Sequence, residues 1–519
     1  MGRTLPSSLE TPLLSHKRAM KRSAIQSVLT LSLLVVCVPK TWAQAGQNAG
    51  APPAATGVDT PTQMSENPPM SGLDEPSFEP GFGTRSYLAP RAEISESRDS
   101  NSVGNFFNSH ATEITRALGS LELQKLWKLH PLDVDYIGGV DWDSGGHGSV
   151  YQVHALAATQ RFLWRTGQFA VRDSFSYLPE GAFGFGSFGG AGAISVGGLG
   201  GGIAGGVGPG IFANNSYGTI GSQITNMAIA DVTQYVSPRT AVLLTGGYGL
   251  TDFLNTPKSA SFCPTNVSCY FNSQESIARA ALNHQISRHN QIALVYAYEQ
   301  LHFPGTSAGS LGVDMAQIEF GHRISGRLEL FLGGGPEWVH RKQAQQEFAG
   351  IPTGLPCTNT APPFSCPEVK TSFITGSSQV SLRYRVSALT SASLSYLRYV
   401  SSGSGFFGGA KTDTGRFAVN HSFGRHWNVL VDTGYSHNSA LLGSTSVAAG
   451  SATSYSFWYF GAAAHRQLGR HFGAYGSYQY NAFAFGSGGC TGAAGCGSSY
   501  GRNILLVGLK WKPQPIRLD

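Results

Sequence analysis

From Leu132 to the C-terminus the apolar residues of this chain recur at every second position, in stretches joined by connections that alternate between tight and long. From Phe373 to Val386, the residues Ile374, Val380, Leu382, Tyr384 and Val386 alternate with Thr375, Ser377, Gln379, Ser381, Arg383 and Arg385. Trp427, Val429, Val431 and Tyr435 alternate with Asn428, Asp432 and Ser436. A period of two sends successive side chains to opposite faces of a strand, so each stretch has one greasy and one wet face. Sixteen such strands are predicted, the first near 132–142 and the last near 500–512. The tight connections centre on Thr166-Gly167, Pro238-Arg239, Arg288-His289-Asn290, Gly326-Arg327, Ala388-Leu389, Gly424-Arg425-His426 and Gly469-Arg470-His471. These have the length and residue types of hairpin turns. The other connections are rich in Gly, Ser and Pro, the largest being 179–225, 254–271, 341–370 and 486–499. A soluble sandwich has no reason to sort its loops this way. A transmembrane barrel does, with short turns on one rim and long loops on the other.

Composition narrows the alternatives. Charged residues are 13% of the chain, aromatics 11%, and glycine contributes 67 residues. So many aromatics exclude pure disorder, and so few charges exclude a coiled coil. Only one stretch, near the N-terminus, approaches the ~18 apolar residues of a spanning helix. In lipid every backbone polar group must pair internally, which leaves helices or closed barrels. Strand parity then places Arg172, Arg279, Glu319, Arg323, Glu329, Arg383, Arg385 and Asp432 on the wet faces, lining a lumen. Aromatics gather at two levels, as in the paired girdles of such barrels: Trp164, Trp427 and Trp511 near the turns, Trp142 and Trp338 near the loops. Hairpins also repeat weakly, as in Phe423-Gly424-Arg425-His426-Trp427 and Leu468-Gly469-Arg470-His471-Phe472.

The N-terminus points to export. Lys21 and Arg22 precede a mostly apolar run from Ala24 to Val38, and Ala43-Gln44-Ala45 follows as a small-x-small cleavage site. Residues 1–45 read as a secretory signal peptide, and translation from Met20 gives one of ordinary length. They carry six basic residues (Arg3, Lys17, Arg18, Lys21, Arg22, Lys40) against one acid, Glu10. Thus +5 of the net +6 leaves with them, and +1 remains. The basicity is therefore no nucleic-acid footprint. Residues 46–117 read as a flexible Pro/Ser/Gly-rich periplasmic linker, with 105–130 ambiguous between helix and strand, and 118–519 as the barrel. Cys263/Cys269, Cys357/Cys366 and Cys490/Cys496 each fall within one loop and fit local disulfides in an exported chain. They lack the spacing and histidine partners of a metal site, and nothing else asks for a cofactor.

This pattern resembles Gram-negative outer-membrane β-barrels, in particular porin-like ones of about sixteen strands, over residues 132–512. The resemblance implies an all-β, antiparallel up-and-down barrel and partnership with outer-membrane lipid, lipopolysaccharide and the assembly machinery. It also allows a homotrimer. One departure stands out: the chain continues past Trp511 to Asp519, where such barrels end on an aromatic residue. The leading functional expectation is passive diffusion of small hydrophilic solutes through a mixed-charge lumen, with weak ion selectivity. The alternative is a non-conducting barrel, an adhesin or scaffold plugged by the glycine-rich stretch 181–210 or by residues 46–130. An enzyme is not expected. Gly305-Thr306-Ser307-Ala308-Gly309 has the spacing of a hydrolase elbow but lacks the strand-turn-helix setting. His421 has lipid-facing parity, the one hint of an outer-membrane phospholipase. His154 and His437 are expected in loops or the lumen.

Overall fold

β-branched and aromatic residues at every second position favour extended backbone, and neighbouring hairpins supply the hydrogen-bond partners. The computed structural model describes residues 86–100, 111–143, 150–178, 222–255, 272–287, 289–304, 309–348, 351–356, 364–387, 389–401, 403, 407–423, 426–441, 453–486 and 499–518. In chain order the strands are β1 (Tyr87–Asp99), β2 (Thr112–Lys125), β3 (Leu132–Asp143), β4 (Val150–Trp164), β5 (Gly167–Leu178), β6 (Ser222–Ser237) and β7 (Thr240–Asn255). Next come β8 (Ser273–Gln285), β9 (Asn290–Phe303), β10 (Gly309–Ser325), β11 (Leu328–Phe348), β12 (Ile351–Pro356), β13 (Phe364–Ser365) and β14 (Glu368–Ser387). The last are β15 (Thr390–Ser401), β16 (Ala410–Phe423), β17 (Trp427–Ala440), β18 (Ser454–Gln467), β19 (Phe472–Phe485), β20 (Ser499–Trp511) and β21 (Ile516–Arg517).

Eighteen of these strands make one antiparallel barrel in which each pairs with its neighbour in sequence, and β1 closes on β20. The short β12, β13 and β21 lie outside the count; β12 and β13 extend the far end of β11. The sixteen predicted segments all form barrel strands. Two more precede them, because β1 and most of β2 occupy sequence read as linker or as ambiguous. The barrel thus begins at Tyr87, not at residue 118. Polar residues on both faces of β1 hide its period: Glu93, Ser95, Ser97 and Asp99 face in, while Glu96 and Arg98 face out. Pro90 is tolerated because it falls between the reach of β21, which pairs with Tyr87 and Leu88, and that of β20, which begins pairing at Ala92. The chain beyond Trp511 is therefore a latch on the seam. Leu518 N–H donates to Ser86 O at 3.2 Å, and Lys125 Nζ donates to Leu518 O at 3.1 Å.

The alternation of tight and long connections has exceptions on the long-loop rim: the β3–β4 connection spans only 144–149, as short as the β2–β3 connection 126–131 on the other rim. The β9–β10 connection spans only 304–308. The glycine-rich stretch, the signal peptide and most of the G-x-S-x-G motif lie outside the described residues. So do both members of two expected disulfides, Cys263 with Cys269 and Cys490 with Cys496. Of the third expected pair, Cys357 lies outside the described residues and Cys366 within them. Cys366 is disulfide-bonded.

The faces of the barrel are inverted relative to a water-soluble one. Outward side chains are large and apolar, including Leu294 (60% exposed), Ile318 (61%), Ile374 (68%) and Val507 (55%). Inward ones include Asp141, Asp231, Glu319, Asp432 and Asn481, all at or below 2% exposure. An exposed apolar band around a closed, fully paired sheet is what hydrocarbon requires. The five tryptophans Trp142, Trp164, Trp338, Trp427 and Trp511 are all exposed. No helix among the described residues is long and apolar enough to cross a membrane.

Candidate functional site

The inner wall is the surface that carries chemistry, and it is built in three levels. At the rim of the short turns, Tyr87 O–H donates to Glu122 at 2.5 Å, Arg91 forms an ion pair with the same carboxylate, and Arg323 Nε donates to Glu329 at 3.1 Å. Asp133 and Asp135 share this inward face of β3.

Above the rim runs a belt of five arginine–carboxylate pairs, each bridging neighbouring or next-neighbouring strands; three lie mid-strand, while Arg116–Asp141 and Arg502–Asp99 lie toward the outer ends of their strands. Arg116 grips Asp141 with two bonds, at 2.7 and 2.6 Å. Arg172 meets Asp231 at 2.6 Å, and Arg416 meets Asp432 at 2.6 Å with Tyr459 O–H donating to the same carboxylate at 3.1 Å. Arg279 on β8 reaches Glu319 on β10 at 3.2 Å. Along that span β9 faces inward with the short side chains Ala293, Val295 and Ala297, the register partners of Glu319, Gln317 and Met315. Arg502 pairs with Asp99 across the β20–β1 seam. None of the five carboxylates is more than 2% exposed. Buried pairs of this kind add little net stability, but removing one partner strands a charge.

At the outer level Glu275, Glu299 and Glu337 face inward from β8, β9 and β11. A pocket lies here, lined by Glu299, Glu337, Gln317, Gln379, Met315 and Val400 among others. Its roof is apolar. β15 parts from β14 beyond the Ser378–Arg398 register pair but stays on β16 as far as Ser401–Ala410. The tip of this hairpin leans inward, and the Val400 amide donates to the Glu337 carboxylate. Val400 and Leu441 pack with Leu301, Phe303, Leu311, Val313 and Val339 from the β9–β11 wall. Phe407 is fully buried and stacks on Tyr455 at 5.6 Å, which stacks on Phe483 at 5.1 Å. Gly409 (φ +105°) sits between the walls. A Cβ there would lie 3.1 Å from both Leu311 and Leu441, so both backbone conformation and space call for glycine.

The eight residues expected to form the filter do not share one ring. Arg172, Arg279, Glu319 and Asp432 belong to the belt, while Arg323, Glu329 and Arg385 sit on strand ends at the turn rim. The Arg383 side chain lies outside the described residues; its backbone registers with Glu329. The belt partners Asp231, Arg416, Asp141, Arg116, Asp99 and Arg502 were not singled out from the sequence. His154 and His437 are neither in loops nor in the lumen. His154 lies on the outer face of β4, within 3.0 Å of Tyr136 O–H, and His437 Nδ1 lies 2.9 Å from Ser456 Oγ on the outer face of β17. His421 contacts Thr390 Oγ1 at 2.6 Å and packs edge-on against Phe423. Among the described residues no group of three or more His, Cys, Asp or Glu is placed to hold a metal.

Closure and face inversion define an antiparallel transmembrane β-barrel. No protein-family model matches the chain, and no curated protein does. Three solved structures illustrate what it is similar to in shape. The ferric-catecholate import receptor Fiu of E. coli K12, in its open form, aligns at 10% identity and TM-score 0.41, covering 83% of this chain and 82% of that one. Acinetobacter baumannii OccAB4 aligns at 9% and 0.40, covering 83% and 99%. Pseudomonas aeruginosa OccK1 (OpdK) aligns at 10% and 0.37, covering 82% and 99%.

Proposed function

We propose that this chain is an outer-membrane channel of a Gram-negative bacterium, exported by residues 1–45, that passes small hydrophilic solutes by diffusion. The carrying observation is a polar, charge-bearing inner wall inside eighteen strands, a circumference that leaves room for an aqueous passage where eight strands would not. The paired belt charges cancel locally, so ion selectivity is weak. Glu299 and Glu337 at the outer pocket tilt it toward cations. Proteoliposomes holding the protein are expected to swell in small sugars and not in large ones. Reversal potentials in a salt gradient are expected to show a slight cation preference that Glu299→Gln/Glu337→Gln removes. An anion preference in the unaltered protein would contradict this charge reading.

The apolar roof favours a second reading, a non-conducting barrel serving as adhesin or scaffold. Absence of swelling from verified folded protein supports it. A homotrimer has a candidate contact face. Asp173 and Asn226, bonded at 3.0 Å, face outward among the small side chains Ala158, Ala228 and Ala230. Asp173→Leu would then shift the detergent-solubilised assembly to smaller mass; an unchanged mass removes this face from consideration.

A further inference from the structure

Just beyond the outer aromatic level, four adjacent strands present one row of polar side chains to the outside of the barrel. Register sets His302 on β9 beside Ser310 on β10, Ser310 beside Lys342 on β11, and Lys342 beside Lys370 on β14. All four share the parity of the exposed outward residues Tyr298, Ile318, Trp338 and Ile374 on the same strands. His302, Lys342 and Lys370 are themselves exposed. Directly opposed like charges on neighbouring strands repel. No hydrogen bond or ion pair relieves either lysine among the described residues. Two acids share this face. Asp314 is bonded by Tyr296 O–H at 2.6 Å with His340 at 3.7 Å, and Glu368 is exposed two residues beyond Lys370 on β14.

Height matters as much as charge. Lys342 lies four residues beyond Trp338. At ~3.3 Å per residue on a strand tilted by roughly 40°, it stands about 10 Å above that tryptophan. That is headgroup depth, directly over an apolar wall that suits acyl chains.

We propose that this row binds the phosphate-bearing headgroup of an anionic glycolipid of the outer leaflet. Lys342 and Lys370 share one phosphate, and His302 and Ser310 extend the donor row. The assignment rests on the outer-membrane reading above. The repulsion between the lysines makes the site incomplete without an anion, whereas a lone snorkelling lysine would need no partner.

The test is native mass spectrometry of the full-length protein in detergent, titrated with diphosphoryl lipid A and, separately, with phosphatidylglycerol. Lipid A is expected to bind preferentially as a discrete adduct. Lys342→Gln/Lys370→Gln is expected to weaken that adduct about 25-fold, from two lysines each interacting with the headgroup. Lys342→Arg/Lys370→Arg is expected to retain it, and Arg327→Gln/Arg470→Gln, on the opposite rim, to leave it unchanged. Heat-modifiable gel mobility confirms that each variant is folded. Equal lipid A binding by the glutamine variant overturns the proposal. So does phosphatidylglycerol binding as tightly as lipid A and falling with it. Recovery of the protein outside the outer membrane on cell fractionation would instead sink the parent reading.

Discussion

Replacing Arg502 with alanine is expected to prevent most of the protein from closing its barrel. Arg502 on β20 donates through Nε to Asp99 of β1 at 2.6 Å, with both side chains only 2% exposed. The β1–β20 seam has eight register pairs, Ala92 to Asp99, whereas β1 and β2 share thirteen. The ion pair therefore sits beside the end of the shorter of the two ladders that hold β1. Removing the guanidinium takes a buried charge partner away from the Asp99 carboxylate, a change that costs about 3–5 kcal/mol in buried ion pairs. Whole-domain stabilities are about 5–15 kcal/mol, so the loss is decisive for the seam. The folded fraction, read as the heat-modifiable band after refolding, is expected to fall sharply. Asp99→Asn/Arg502→Gln, which removes both charges, is expected to recover most of it. An Arg502→Ala protein that folds like the unaltered one would show that the seam does not depend on this pair.

Phe407→Ala is expected to widen the outer mouth. Phe407 lies outside the β15–β16 ladder, is fully buried and anchors the inward tip on Tyr455. Truncating a buried phenylalanine removes about 3–5 kcal/mol of packing. Here that loss falls on the tip rather than on the wall. An apolar constriction holds back water and ions, and opening one raises conduction. Single-channel conductance is expected to rise at least about twofold, with barrel mobility on gels unchanged. Leu311→Ala, which shaves the opposing wall where Gly409 touches it, is expected to act in the same direction. Unchanged conductance in both variants would place the narrowing elsewhere.

These residues also mark how far the sequence could be read. β3 to β11 and β14 to β20 were legible because one face of each meets lipid and must stay apolar, which imposes the period of two. β1 escaped because both its faces are polar over Glu93–Asp99 and Pro90 interrupts it. The inward parity of Arg172 or Asp432 was legible for the same reason. Their partners Asp231 and Arg416 were not, since cross-strand neighbours depend on register, which local alternation does not specify. The inward tip was invisible in sequence. Gly403, Phe407 and Gly409 have the composition of any outer loop, and only the packing of Val400 and Leu441 on the far wall reveals their direction. His154 and His437 lie within the expected strands but were misplaced between loop and lumen, because each shares the parity of an outward residue, Val150 on β4 and Tyr435 on β17, and contacts a polar neighbour on that outer face.

The most direct measurement is single-channel recording of the folded protein in a planar bilayer, with Phe407→Ala beside it. A narrowed aqueous channel gives small, stable, Ohmic steps that enlarge in the variant. Silence from both proteins, with folding verified in the same preparation, would contradict an open lumen and establish the barrel as a closed scaffold.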